Sequence, residues 1–446
     1  MLTSLALSLS LATPVEIQAP PKAVALDPAL AKKVTALADH WWKARPPTRF
    51  VEWDPAARAE LEKEARAIGA IPEGATTAVV NLLWAPGKKA AQGVRVEKQK
   101  LVLDTPYGEA WAWFNAGGKK PGLVIGLHGG GEGAGSADEP RSTYQQKGWM
   151  GIYPQGIELV HDTWNTVHGE RFVLTLIEAA KLEYDVDPDH VYVMGFSMGG
   201  TGSWFFAGRH TDLFAGASPF SGVFMASPKS QLETKEEVQA LQHGLVPNVR
   251  NLALWYSIGL EDKNTMPGTY LYVADMLERL RKDDPGGYAN IHFTTVPGLA
   301  HEFPPGEPAA AMKFLQAQKR DPFPAKLVWE YVTDPSPEST PKDKVKRYQK
   351  HIFHWLGCKD PEDRQTLRAE RVKNAITLST KSRSTGTKGC VVYLNAAMID
   401  PAAEVVVSVD GKEVQRAKLV PDVWTILETL DDKLDRTLVF DRRIEL

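Results

Sequence analysis

Short apolar runs separated by helical segments dominate the middle of this 446-residue chain. The runs lack polar alternation, which is typical of strands buried on both faces of a sheet. Strands that alternate with helices favour right-handed crossovers and a mostly parallel sheet covered by helices. The runs are L-V-I-G-L (123–127), W-M-G-I-Y (149–153), V-Y-V-M (191–194), L-A-L-W-Y-S-I (252–258) and I-H-F-T-T-V (291–296), and the clearest helical segments are 170–183, 270–281 and 309–318.

The run at 191–194 continues into G-F-S-M-G-G, a G-x-S-x-G motif followed by a helical segment. A sharp strand-to-helix turn, with glycine at 195 and 199, pushes the Ser197 hydroxyl out at the carboxyl end of the sheet. The N-terminus of the following helix presents unpaired N–H groups and the positive end of its dipole to the same place. The sequence therefore predicts Ser197 as a nucleophile.

A serine hydroxyl needs a base, and the base needs an acid that orients it. The expected chain order on this kind of sheet is serine, then acid, then histidine. His301 directly follows the run at 291–296 and is the predicted base. Asp262 follows Gly259, at the end of the run at 252–258, and is the preferred acid. Glu261 stays open as the alternative, because the sequence does not tell which of two adjacent side chains faces the histidine.

A second glycine-rich segment, H-G-G-G, follows the run at 123–127. A backbone amide about 3 Å from a developing oxyanion stabilises its charge, and glycine leaves room for that approach. We expect one such amide among Gly129–Gly131, with Gly130 preferred, and the other at Met198. The spacing fits neither phosphate-binding glycine motif, which argues against a nucleotide loop. His128 is predicted to organise the loop rather than to act as a base.

With these motifs the chain resembles the α/β-hydrolase superfamily over residues 90–320. More narrowly, it is similar to polyhydroxybutyrate-depolymerase-like and feruloyl-esterase-like serine esterases, relatives of dienelactone hydrolases and prolyl-oligopeptidase-type peptidases. The resemblance depends on H-G-G-G-E (128–132), Y-P-Q-G (153–156), V-D-P-D-H-V-Y-V-M-G-F-S-M-G-G (186–200), A-S-P-F-S-G, G-L-E-D and G-L-A-H-E-F. It implies an α/β-hydrolase fold with Ser197, Asp262 and His301 as a catalytic triad.

The resemblance further implies a carboxylic ester hydrolase that works through an acyl-enzyme on a small-molecule or polymeric ester. That chemistry requires no metal and no organic cofactor, and neither H-E-x-x-H nor H-x-x-E-H occurs in the sequence. Trp164, in D-T-W-N, lies in the region where α/β folds place substrate contacts. We predict it as a substrate-binding pocket wall, with a core tryptophan as the alternative.

Composition excludes one class of partner. Lys and Arg number 52 against 55 Asp and Glu, a formal net charge of -3, and no long basic run occurs, so the chain lacks the charge pattern of nucleic-acid binding. The two cysteines, Cys358 and Cys390, are too few for a disulfide scaffold, and the sequence leaves open whether they form one bridge.

The sequence predicts separate regions at the two ends of the chain. Residues 1–19 read as a secretory signal peptide whose apolar stretch is too short to span a bilayer, which predicts a secreted or periplasmic protein. Residues 20–90 are predicted as a helical extension, 91–320 as the catalytic domain and 325–446 as a small, mainly β accessory module. Asp-Gly in D-G-K at 410–412 predicts a hairpin turn. Aromatic residues such as Trp424 make this module a candidate for binding a polysaccharide or polyester surface.

Two other functions remain open from the sequence. A peptidase of the prolyl-oligopeptidase type would carry an N-terminal β-propeller, and residues 20–90 are too few and too helical to build one. A catalytically inert polymer-binding protein is the other, and the presence of serine, histidine and acid argues against it.

Overall fold

The computed structural model describes residues 22–88, 93–130, 135–156, 164–222, 245–265, 267–333 and 347–446. The predicted signal peptide at 1–19 lies outside these residues. Within the described ranges, no helix is both long and apolar enough to cross a membrane.

Three helices begin the described chain: α1 (Pro28–Ala44), α2 (Pro55–Ile68) and α3 (Thr76–Trp84). The carboxylates of Asp27 and Asp54 accept backbone N–H groups at the starts of α1 and α2, and a proline follows each of them at the first helical position. Asp as the N-cap and Pro at the first position both favour a helix start. All three helices lie within residues 20–90, the predicted helical extension.

A nine-stranded sheet forms the centre of the molecule, in the order β1-β2-β3-β5-β4-β6-β7-β8-β9. The first two pairs and the β3–β5 pair are antiparallel, and all pairs from β5 to β9 are parallel. This confirms the predicted, mostly parallel sheet. Its strands are β1 (Val94–Glu97), β2 (Lys100–Thr105), β3 (Gly108–Asn115), β4 (Leu123–Leu127), β5 (Met150–Pro154), β6 (Val191–Phe196), β7 (Gly216–Phe220), β8 (Ala253–Gly259) and β9 (Ile291–Val296).

Helices cover both faces of this sheet, with one apolar cluster on each side. Strands β4 to β8 are almost wholly buried, which explains their unbroken apolar sequences. The carboxyl ends of the parallel strands lie at one edge of the sheet, so the segments that follow β4, β6, β8 and β9 meet there. The helices are α4 (Asp138–Tyr144), α5 (Val167–Glu183), α6 (Met198–Arg209), α7 (Pro267–Asp283) and α8 (Glu307–Gln316).

The C-terminal region contains two smaller sheets and one helix. The five-stranded sheet has the order β10-β13-β14-β16-β17 and the four-stranded sheet β11-β12-β15-β18. The elements are β10 (Lys326–Glu330), β11 (Ile352–Phe353), β12 (Leu356–Cys358), β13 (Thr366–Val372), β14 (Ala375–Lys381), β15 (Cys390–Leu394), β16 (Val405–Val409), β17 (Lys412–Ala417), α9 (Val423–Lys433) and β18 (Arg442–Glu445).

The predicted hairpin turn is confirmed between β16 and β17, where Asp410 and Gly411 both have positive φ, 47° and 80°. Helix α9 was not expected in this mainly β region. Its apolar face joins α1, α2 and α3 in one core cluster. Trp424 belongs to that cluster and is only 4% exposed. The prediction that Trp424 is presented to a polymer surface is therefore wrong, because its ring is covered by the N-terminal helices.

Candidate active site

The turn between β6 and α6 holds Ser197 in a strained backbone conformation, with φ 56° and ψ -119°. A positive φ is unfavourable for a residue with a side chain, and such strain is found mostly at functional sites. The turn is tight because glycines allow close backbone contact. A methyl group on Gly199 would overlap the carbonyl oxygen of Leu127, and one on Gly195 would overlap the backbone of Gly199. The sequence thus brings α6 directly against β4.

Ser197 and His301 are joined by a hydrogen bond of 2.8 Å between Oγ and Nε2. The other ring nitrogen of His301, Nδ1, lies 2.8 Å from Oδ2 of Asp262. His301 belongs to the segment after β9, and Asp262 to the segment after β8. The structure therefore brings the predicted nucleophile, base and preferred acid into one hydrogen-bonded chain.

Asp262 is anchored by its own loop. Its Oδ1 accepts the backbone N–H groups of Asn264 (2.8 Å) and Thr265 (3.1 Å), and its Oδ2 accepts the Thr265 hydroxyl (2.7 Å). The side chain has no solvent exposure, whereas that of His301 is 20% exposed. Burial alone would raise the pKa of Asp262, but the hydrogen bonds that it accepts, first from His301 and then from Thr265, lower that pKa below its ordinary value. The carboxylate is therefore ionised at neutral pH.

Glu261, the alternative acid, takes a different direction. Its backbone N–H donates to the carbonyl of Leu299 at 2.9 Å, and the residue is exposed. Asp262 instead turns back, with its N–H on the carbonyl of Gly259 at 3.2 Å. The adjacent side chains consequently diverge, and the carboxylate in contact with His301 is that of Asp262.

The oxyanion side of the site is formed by the first residue of α6 and the loop after β4. Met198 begins α6, so its N–H has no acceptor within the helix. Gly130 has a φ of 78° and is exposed at the end of the described loop, and Gly131 lies beyond the described residues. The N–H of Gly129 is directed at the Glu139 carboxylate, 3.4 Å away. The roles of Gly130 and Met198 as oxyanion donors stay predictions.

His128 organises this loop, as predicted. Its Nε2 accepts the N–H of Gly156 at 2.9 Å, so the proton is on Nδ1, which donates to the carbonyl of Gly129 at 2.7 Å. The ring is fully buried. With both nitrogens engaged in backbone contacts, His128 has no free nitrogen for proton transfer.

Trp164 lies beneath the same loop. Its indole N–H donates to the carbonyl of His128 at 3.0 Å, and the two rings are in edge-on contact with centroids 4.9 Å apart. A methyl group on Gly202 of α6 would overlap Trp164, so the helix and the tryptophan are tightly packed. With 1% exposure Trp164 belongs to the core, which is the alternative that the sequence left open. Its role as a pocket wall stays a prediction without a supporting contact.

Sequence reasoning missed the aromatic residues that surround His301. The Phe196 ring lies 4.9 Å from the His301 ring, and Phe303 stacks on Phe196 with centroids 4.3 Å apart. Phe220 and Tyr144 continue this group on the far side of Phe303. Phe196 and Phe303 flank the recognised residues, in G-F-S-M-G and H-E-F, and this proximity is the signal that could have identified them.

Comparisons with known proteins bear on this site. Residues 123–298, less than half of the chain, match the model of the family Esterase, described as "Putative esterase". No curated protein matches the sequence.

Within the described ranges, no group of three or more His, Cys, Asp or Glu side chains could hold a metal ion.

Solved structures similar to this chain include a thermostable esterase, with 18% identity and a TM-score of 0.37 over 51% of this chain and 63% of that chain. Another is FphF, a fluorophosphonate-binding serine hydrolase of Staphylococcus aureus, with 16% identity and a TM-score of 0.36 over 49% and 97%. A third is an acetyl xylan esterase from Aspergillus awamori, with 16% identity and a TM-score of 0.37 over 48% and 98%.

Residues 123–298 thus match an esterase family, and the sheet topology confirms the predicted α/β-hydrolase fold. The narrower resemblance to polyhydroxybutyrate depolymerases and feruloyl esterases stays a prediction.

Proposed function

We propose that this α/β-hydrolase of the serine esterase class hydrolyses carboxylic esters through an acyl-enzyme formed on Ser197. The observation that carries the proposal is the hydrogen-bonded chain from Asp262 through His301 to Ser197, with both links at 2.8 Å. Each residue comes from a different segment at the carboxyl edge of the sheet, so the alignment does not follow from local chain geometry.

In the first step the Ser197 hydroxyl attacks the ester carbonyl while Nε2 of His301 takes its proton. The Nδ1–H of His301 donates a hydrogen bond to the Asp262 carboxylate, which keeps the Nε2 lone pair directed at the serine and stabilises the imidazolium that forms. The substrate oxygen becomes an oxyanion, and the N–H groups of Met198 and Gly130 donate to it. The N-terminus of α6 adds the favourable end of its dipole.

The intermediate collapses when His301 returns the proton to the departing alcohol, which leaves the acyl group on Ser197. Water then attacks the acyl carbonyl, with His301 again as base, and the acid is released with the free serine. The proposed substrate class is a small-molecule or polymeric ester. Preference for a particular acyl or alcohol group depends on the shape of the pocket, which the loops determine.

Two further predictions from the sequence also remain proposals. Export through residues 1–19 depends on the sequence pattern alone. Attachment of residues 325–446 to a polysaccharide or polyester cannot use Trp424 as the contact residue, because Trp424 is buried.

The proposal is tested with p-nitrophenyl acetate and butyrate, beside aminoacyl p-nitroanilides at equal concentration. We expect turnover of the esters, little cleavage of the anilides, and a fall in kcat of about 10⁴-fold or more in Ser197→Ala. Ser203→Ala is the matched control, because Ser203 is a buried serine of α6 whose hydroxyl donates to the carbonyl of Gly199. Preferential cleavage of anilides would favour a peptidase, and an active, folded Ser197→Ala variant would contradict the mechanism.

A further inference from the structure

The only two cysteines of the chain lie opposite each other in the four-stranded C-terminal sheet. Cys358 is the last residue of β12 and Cys390 the first of β15, and the antiparallel register pairs them directly. Both are buried, at 2% and 1% exposure. Both are free thiols in the structure.

The backbone around the pair has the geometry that a cross-strand bridge needs. The N–H of Lys359 donates to the carbonyl of Gly389, and the carbonyl of Cys390 accepts the N–H of Leu446. Cys358 and Cys390 therefore do not exchange backbone hydrogen bonds with each other. In an antiparallel sheet such a non-hydrogen-bonded pair has its Cα atoms about 4.5 Å apart. This separation is within the range of about 4.4–6.8 Å that disulfides span, so oxidation requires no backbone movement.

Both cysteines border a cleft of about 810 Å³ between the N-terminal helices and the C-terminal region, although no more than 2% of either residue is exposed.

We infer that Cys358 and Cys390 form a disulfide when the chain folds in the presence of a disulfide oxidant such as oxidised glutathione. One of the two thiolates attacks the oxidant, which forms a mixed disulfide and releases one glutathione thiolate. The thiolate of the other cysteine then attacks the cysteine sulfur of the mixed disulfide and releases the second. The protein loses two electrons and two protons, and one oxidised glutathione becomes two thiols.

The bridge would close a loop that contains β13 and β14 of the neighbouring sheet. A cross-link of this kind stabilises a fold mainly by restricting the unfolded chain. It lies in the C-terminal sheet, outside the sheet that carries Ser197, so ester hydrolysis at ambient temperature should not depend on it.

The test uses the full chain, equilibrated with a mixture of oxidised and reduced glutathione, then denatured and treated with iodoacetamide. We expect no alkylated cysteine before reduction, two after dithiothreitol, and a linked peptide pair about 2 Da lighter than the two thiol peptides together. Two alkylated cysteines without reduction, or glutathione retained on either cysteine, would overturn the inference.

Stability gives a second readout. Dithiothreitol should lower the melting temperature of the oxidised parent by about 4 °C. The Cys358→Ser and Cys390→Ser variants should melt at a temperature that dithiothreitol does not change. Should either variant fail to fold, the thiol count of the parent alone decides the matter. An unchanged melting temperature of a parent shown to be bridged would contradict the stabilising role.

Discussion

Replacing Asp262 with asparagine should leave the site intact in shape and inactive in chemistry. The orientation of the new amide is dictated by its neighbours. Two backbone N–H groups, of Asn264 and Thr265, point at the Oδ1 position and require an oxygen there. The amide nitrogen must then occupy the Oδ2 position, 2.8 Å from Nδ1 of His301. An N–H donor at that point moves the ring proton to Nε2, where it faces Ser197 and the ring cannot accept the serine proton.

The size of the effect follows from the contacts that change. In the active tautomer the Nδ1–H of His301 would face the N–H of the new amide, so two donors would meet. This loses one charge-assisted hydrogen bond, at a cost of about 1.5–3 kcal/mol, and leaves a buried donor unsatisfied, at a further cost of about 1–3 kcal/mol. The total corresponds to a decrease in kcat of about 10²–10⁴-fold, since each factor of ten is about 1.4 kcal/mol. KM should change little, because Asp262 is buried behind the histidine and is out of reach of substrate.

Hydrolysis of p-nitrophenyl acetate by Asp262→Asn and by the matched control Glu261→Gln measures this prediction, with circular dichroism to verify folding. Glu261 is exposed, so the control should retain activity within about twofold of the parent. The reasoning fails if Asp262→Asn keeps more than a fifth of the parent kcat, or if Glu261→Gln loses as much activity as Asp262→Asn.

Two further predictions concern residues outside the triad. Trp164→Phe removes the indole N–H that donates to the backbone carbonyl of His128 and keeps an aromatic side chain, so kcat should fall about 5–10-fold with KM nearly unchanged. Trp424→Phe should not affect hydrolysis. Steady-state kinetics of the two variants measure this, and an equal effect of both would contradict it. Burial lowers the pKa of His210 to about 4 and that of His354 to about 3, below their ordinary value near 6.5. As the pH falls, these two histidines take up protons in the unfolded chain before they do so in the folded protein. The free energy of unfolding should therefore decrease from pH 6.5 to pH 5 by about 1 kcal/mol per pH unit for each histidine. His354→Phe should remove about half of that slope in urea unfolding, and an unchanged slope would contradict the assignment.

The sequence pattern predicted the sheet because its strands are buried on both faces and carry unbroken apolar side chains. Strand β7, G-A-S-P-F, escaped this pattern since it consists mostly of small residues. The structure explains the composition. A methyl group on Gly200 of α6 would overlap the carbonyl oxygen of Phe220, so α6 packs directly against β7 and leaves little room for large side chains.

Long-range packing was the second limit. The contact of α9 with the three N-terminal helices joins the two ends of the chain, and no local periodicity encodes it. Trp41, for example, donates its indole N–H to Asp431 at 3.0 Å. Such a pairing depends on where the ends of the chain meet in three dimensions, which is also why Trp424 was misread as a surface residue.

At the site, strand order was enough to place Ser197 and His301, since each follows a recognisable buried strand. The choice between Glu261 and Asp262 was not decidable from the sequence, because it depends on the path of the loop after β8, which buries Asp262 against His301 and leaves Glu261 exposed. The roles of Phe196 and Trp164 depend on the packing of rings against the triad and the glycine loop.

The most direct test of the central claim is labelling with a fluorophosphonate probe, followed by peptide mapping. A phosphonylated serine requires a working nucleophile and base together. The account predicts label on Ser197 alone in the parent and none in a folded Ser197→Ala variant. A folded parent that takes up no probe, or takes it up on another serine, would contradict a working triad of Ser197, His301 and Asp262.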